Sequence, residues 1–143
     1  MITLNDLKPK TITAEIELPD NTIQSIELMP LSWSQWQDIG LLVPNEKAEL
    51  KPVVKNGKKE YEEDLPAQRR LDAENEMKRT KLRLAESLLR AGSLPELEKM
   101  TTEQRLNALG EIDTGIFNAL ILVLRQTALG SQARIADKAE RFQ

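Results

Sequence analysis

The sequence contains no cysteine and no histidine. Without thiols there are no disulfides and no thiolate nucleophile, and without imidazole the usual general base near neutral pH is missing as well. Zinc sites built from Cys and His are excluded outright, while the redox compartment is left open. Aromatic residues make up 3% of the chain, so Trp33 and Trp36 hold a large share of all the ring area, beside Tyr61, Phe117 and Phe142. The longest apolar run, residues 119–124, falls short of the about 20 residues of a membrane span and of the about 7 to 15 of a signal-peptide core. Nothing near the N-terminus has the character of an export signal, and no membrane partner is expected. Phosphate loops are lacking too: Gly110 and Gly115 flank Glu-Ile-Asp-Thr without the lysine and hydroxyl such a loop requires, so both read as helix punctuation.

What is present is a chain of 143 residues with Lys+Arg 20 against Asp+Glu 23, a formal net charge of −3. That length suits one domain, residues 1–143, large enough to bury roughly 70% of its extended-chain surface. Residues 1–44 predict a hairpin and a short helix. Ile12, Ala14, Ile16 and Leu18 alternate with polar residues, Pro19-Asp20-Asn21 marks a turn, and Ile26 and Leu28 return in register. Ile23 is out of register, which predicts a bulge near Gln24 or Ser25. Ser32 and Gln35 form a capping box, Leu31 and Trp36 a hydrophobic staple, and Gly40 is the expected stop.

Residues 45–64 read as a mobile polar excursion, with many charges and few apolar residues. Asn56-Gly57 favours the turn of a small hairpin, although a two-stranded ribbon alone is barely stable. Residues 65–130 form the helical part. A long helix over 65–91 is capped by Asp64 and ends at Gly92, with an apolar stripe of Met77, Leu84, Ala85, Leu88 and Ala91. Ser93 with Glu96 predicts a second capping box, and Thr101 or Thr102 caps a short helix ending at Gly110. The most apolar helix is expected over 111–129 with Gly130 as its stop, followed by a fraying tail, 131–143, whose large apolar residues are Ile135 and Phe142.

Little of this points to catalysis. Glu60, Glu62, Glu63 and Asp64 lack the spacing of a calcium loop and read as a solvated run leading into a helix N-terminus. No motif brings two particular carboxylates together, and no enzyme activity, metal or cofactor is expected. Arg69, Arg70, Lys78, Arg79, Lys81, Arg83 and Arg90 share the long helix, but Glu74, Glu76 and Glu86 stand three or four residues before Lys78, Arg79 and Arg90. The face therefore reads as self-neutralising and solvated, not as a phosphate track, and nucleic acid is not an expected partner. Trp33 and Trp36 stand at i and i+3. They read either as a cluster sealing the hairpin against the helices or as a patch receiving a partner helix. On the apolar helix, Ile116, Leu120 and Val123 follow one stripe and are the expected core, whereas Ile121 and Leu122 point away from it. Ile121 and Leu122, with Trp33 and Trp36, are thus the candidates for partner binding.

The run Ile12-Thr13-Ala14-Glu15-Ile16-Glu17-Leu18-Pro19-Asp20, then Ile26-Glu27-Leu28-Met29-Pro30-Leu31-Ser32-Trp33 and Gln35-Trp36-Gln37-Asp38-Ile39-Gly40, resembles the start of small tail assembly chaperones of long-tailed bacteriophages. The likeness covers about the first 40 residues in pattern and the remainder in helical character; residues 45–64 have no counterpart in it. The resemblance implies an α+β fold, with an N-terminal antiparallel β-hairpin packed on a mainly α-helical C-terminal part. It further implies a non-enzymatic protein of the host cytoplasm that binds and solubilises the tape measure protein before the tail tube polymerises, with the tail tube protein and a second copy as further partners. A frameshifted, longer product goes with the same family. The alternative of another class is a structural virion component, such as a head-tail connector or tail completion subunit.

Overall fold

The computed structural model describes residues 1–126. The expected continuation of the last helix to 129, its Gly130 stop and the tail 131–143 lie outside the described residues. The architecture is α+β: an N-terminal antiparallel hairpin followed by helices, with a second hairpin inserted between the first two helices.

Strands β1 (Ile12–Glu17) and β2 (Ile23–Leu28) pair without interruption, Ile12 opposite Leu28, Ala14 opposite Ile26 and Ile16 opposite Gln24. The expected bulge is not formed. Asn21, at φ 67, turns the chain within the loop, and Leu18 N–H donates to Thr22 O at 2.8 Å, so β2 starts in register and Ile23 simply faces outward opposite Glu17, 70% exposed. Asp20 fixes the same turn: its carboxylate accepts from Thr22 Oγ1 at 2.6 Å and Thr22 N–H at 3.0 Å, which holds it below the usual carboxylate range.

Helix α1 (Trp33–Leu42) has the expected capping box, Ser32 Oγ accepting from Gln35 N–H at 3.3 Å and Gln35 Oε1 from Ser32 N–H at 2.9 Å. It does not stop at Gly40. A Cβ there would stand 3.3 Å from Arg83 Nη2, so the glycine serves a close approach between helices while the helix runs on to Leu42.

Residues 45–64 lie at the surface but carry regular structure. Strands β3 (Lys51–Lys55) and β4 (Lys58–Glu62) pair through Asn56 at φ 52 and Gly57 at φ 74, the two positive angles a type I′ turn demands. Lys51 and Lys55 reach Glu62 at 3.8 and 3.3 Å, exposed pairs that contribute little. The strap before this hairpin is tied down by Gln68, whose side chain accepts from Ala48 N–H and donates to Glu46 O, both at 2.8 Å.

Helix α2 (Leu65–Arg90) begins as expected, Asp64 Oδ1 accepting from Ala67 N–H at 3.1 Å with Pro66 in the first turn. It ends in a Schellman motif: Gly92, at φ 80, donates to Leu89 O, and Ser93 N–H donates to Leu88 O, both at 3.0 Å. Ser93 does not cap the next turn. Its hydroxyl donates to Glu27 O at 2.6 Å and accepts from Glu27 N–H at 3.2 Å, pairing β2 with the end of α2, and the 3-10 turn Pro95–Lys99 starts without a side-chain cap. Helix α3 (Thr102–Gly110) is capped by Thr101 in a box with Gln104. Helix α4 spans Thr114–Gln126, lies bent by 114° to α3, and starts later than expected because Asp113 caps it, Oδ2 accepting from Ile116 N–H at 3.2 Å.

The core is aliphatic and has two parts. Leu84, Ala85 and Leu88 of α2 are fully excluded from water against Ala14, Ile16 and Leu28 of the hairpin, Leu97, Leu109 and Leu120, with Ile116 and Val123 packed at the edge. A smaller cluster joins Leu82 to Ile39 of α1 and to Val43, the residue that ends it. Met77, expected on the α2 stripe, is 48% exposed, and Asn75, on a different face of the helix, is buried. Among the described residues no single helix is long and apolar enough to cross a membrane.

Truncating Leu88 to alanine is expected to lower unfolding free energy by about 2 to 5 kcal/mol in urea, as deletions in tight cores do. Leu122→Ala, at a side chain 55% exposed, should change it by less than about 0.5 kcal/mol.

Candidate functional site

With Ile39 and Val43 turned toward Leu82, the opposite arc of α1 faces water. Trp33 and Leu41, two turns apart on that arc, are 76% and 77% exposed. Trp36 sits at its border, half exposed, and its ring receives the guanidinium of Arg83 at 3.6 Å from the centroid. The sealing of the N-terminal hairpin against the helices is therefore not the role of the tryptophans. That contact is made by Ala14, Ile16 and Leu28, and the rings lie instead along the border between α1 and α2.

Arg83 and Arg79 depart from the expected solvated face. Their side chains are 12% and 13% exposed and reach under α1. Arg79 closes the end of α1, Nε donating to Val43 O at 2.9 Å and Nη2 to Asn45 Oδ1 at 2.8 Å, where a cation also complements the helix dipole. Arg83 donates to Trp36 O at 3.4 Å. Glu76 serves both, at 3.2 Å from Arg79 and 3.6 Å from Arg83. Burial holds the Arg83 guanidinium below its ordinary pKa, with Glu76 opposing that shift and Arg79 adding to it. Elsewhere the expected pairing of Glu86 with Arg90 is present at 2.6 Å, and Glu86 also holds Arg105 at 3.3 Å.

Trp36 and Arg83 border a hollow of about 80 Å³ whose other walls include Leu84, Ile121, Leu124 and Arg125. It adjoins a surface groove of about 540 Å³ between α1 and α2 that includes Gly40, Leu41 and Arg79. Of the four candidates, Trp36 and Ile121 thus share one cleft. Ile121 does not point away with Leu122: it packs against the main core, because a step of one residue is 100° around a helix, and only Leu122 stays in water. Trp33 is exposed on α1 outside both hollows.

Residue spacing alone did not reveal the Arg83–Trp36 stack or the doubly used Glu76, although Glu76, Arg79 and Arg83 recur at i, i+3 and i+7 on one stripe. Asn75 was missed as well. It is 1% exposed, in the α2 row of Gln68, Asp72 and Arg79 that meets the strap, and neither atom of its amide has a hydrogen-bond partner among the described residues. No cluster of three or more potential metal ligands exists among the described residues. Within the acidic run, Glu62 pairs with lysines and Asp64 caps α2.

The chain matches no family model, no curated protein and no solved structure.

A buried amide without a partner costs about 1 to 3 kcal/mol, so Asn75→Leu is expected to leave stability unchanged or raise it. Chemical denaturation of both proteins checks this. A loss above about 2 kcal/mol would mean that the amide is bonded through a buried water.

Proposed function

We propose that this chain is a non-enzymatic tail assembly chaperone of a long-tailed bacteriophage, which keeps the tape measure protein soluble in the host cytoplasm until the tail tube polymerises around it. One observation carries the reading beyond the resemblance of residues 12–40. Trp33, Leu41 and Leu122, large apolar side chains in a chain with few rings, are held in water on helices whose other faces already supply the core. Exposed apolar side chains on such helix faces suit the apolar stripe of a long partner helix, where aromatic anchors contribute most. The surrounding charge, 30% of all residues, keeps the chain itself soluble. The tail tube protein and a second copy are further partners in the same reading.

Coexpression with the tape measure protein tests it directly. The wild-type chain is expected to bring the tape measure protein into the soluble fraction, and Trp33→Ser combined with Leu41→Ser should at least halve the recovered complex while the chain's own melting temperature stays within a few degrees. If the tape measure protein remains insoluble and the chain is instead found in assembled tails, the structural-component alternative takes its place.

A further inference from the structure

The cleft around Trp36 differs in charge from the rest of the molecule. Arg79, Arg83 and Arg125 border it with a single carboxylate, Glu76, whereas the whole chain carries −3. Arg79 is well used, bonded to Val43 O, Asn45 and Glu76. Arg83 is not. Its Nε is buried without an acceptor, its contact to Trp36 O at 3.4 Å is long for a hydrogen bond, and Glu76 stands 3.6 Å away and is shared. Arg125 is exposed and forms no ion pair among the described residues. The floor beside these guanidiniums is apolar, built from Leu84, Ile121 and Leu124.

An under-neutralised guanidinium next to a small apolar hollow is complementary to a carboxylate one helical turn from an apolar side chain. We propose that the cleft between α1, α2 and α4 docks an acidic amphipathic helix of a partner protein, with one apolar side chain in the hollow beside Trp36 and a Glu or Asp on Arg83 and Arg125. The proposal rests on the reading of this side of the molecule as the partner-binding surface and adds the partner's charge. The occupant is a helix of another protein because the cleft is locally basic and the chain's own described helices offer no acidic excess to it: α2 carries seven basic residues against four acidic, α3 one of each, α4 a single arginine, and α1 is itself a wall of the cleft.

Isothermal titration of the full-length chain with two synthetic helical peptides tests this. Both peptides carry the same leucine stripe; one is flanked by glutamates, the other by lysines. The acidic peptide is expected to bind, its dissociation constant rising about tenfold in Arg83→Gln and in Arg125→Gln and rising also with added salt, while the basic peptide does not bind. Arg125 is exposed, so its replacement reports on the cleft even if Arg83→Gln impairs folding. Equal binding of the two peptides, binding of neither, or acidic-peptide binding indifferent to Arg125→Gln overturns the proposal. So does a concentration-dependent dimer that Arg125→Gln dissolves, which would put a second copy in the cleft. A tape measure protein still solubilised alongside charge-blind peptide binding would remove this inference and leave the chaperone reading standing.

Discussion

Leu84, Ala85 and Leu88, on one face of α2, are wholly excluded from water, and the remaining elements are placed so as to keep them there. The β1–β2 hairpin covers them from one side, while α3, the 3-10 turn before it and α4 cover them from the other. Burying a large aliphatic side chain contributes about 1.5 to 3 kcal/mol, so a core with so few rings depends on having this helix enclosed on several sides. The polar contacts at its C-terminal end serve the same purpose. Ser93 bonds both backbone groups of Glu27, and Met29 N–H donates to Ser87 O at 3.2 Å, which fastens the hairpin across the stripe it covers.

Helix α1 stands apart from that core. Its apolar contact is the small cluster of Ile39, Val43 and Leu82, with Leu31 and Leu106 packed against it, and two arginines of α2 add polar attachment. Arg79 closes its C-terminus and Arg83 lies against the Trp36 ring, a role that needs a flat, delocalised cation and that lysine cannot fill equally well. Gly40 stands close to this contact, and a Cβ there, 3.3 Å from Arg83 Nη2, would ask the guanidinium to give way by a few tenths of an ångström. Because the anchoring is done from one side by aliphatic and guanidinium groups, the other side of α1 is left free to present Trp33 and Leu41.

Features governed by neighbouring residues were legible in the sequence. The Ile12, Ala14, Ile16 alternation, the Ser32–Gln35 box and the Asp64 cap all depend on chemistry within a turn or two and form as the spacing predicts, and of the two threonines offered as the cap of α3 it is Thr101 that serves. Competition with distant partners decided the others. Ser93 had a nearby glutamate to suit a capping box, but the backbone of Glu27, brought close by the hairpin, holds its hydroxyl instead. Gly40 carries the usual signal of a helix end and serves interhelical packing. Arg79 and Arg83 look like surface charge by their spacing to Glu76, and whether they turn to water or under α1 depends on where α1 packs, which charge pattern does not encode. Asn56-Gly57 shows the reverse balance: the turn chemistry prevailed over the polar composition around it. The partner-binding candidates divided for the same reason, Ile121 being drawn into the core while Trp33 and Leu122 were left outside.

Under the proposed function, the tryptophans of α1 serve a partner and not the core. Indole fluorescence with acrylamide quenching measures this directly, using Trp33→Phe and Trp36→Phe to separate the two rings. In the isolated chain, Trp33 should emit as a water-exposed indole and quench freely, Trp36 should quench less beneath Arg83, and both should shift to shorter wavelength and become protected when the tape measure protein is bound. Emission from Trp33 that is already blue and unquenchable in the isolated chain, or unchanged by the partner, would contradict the account.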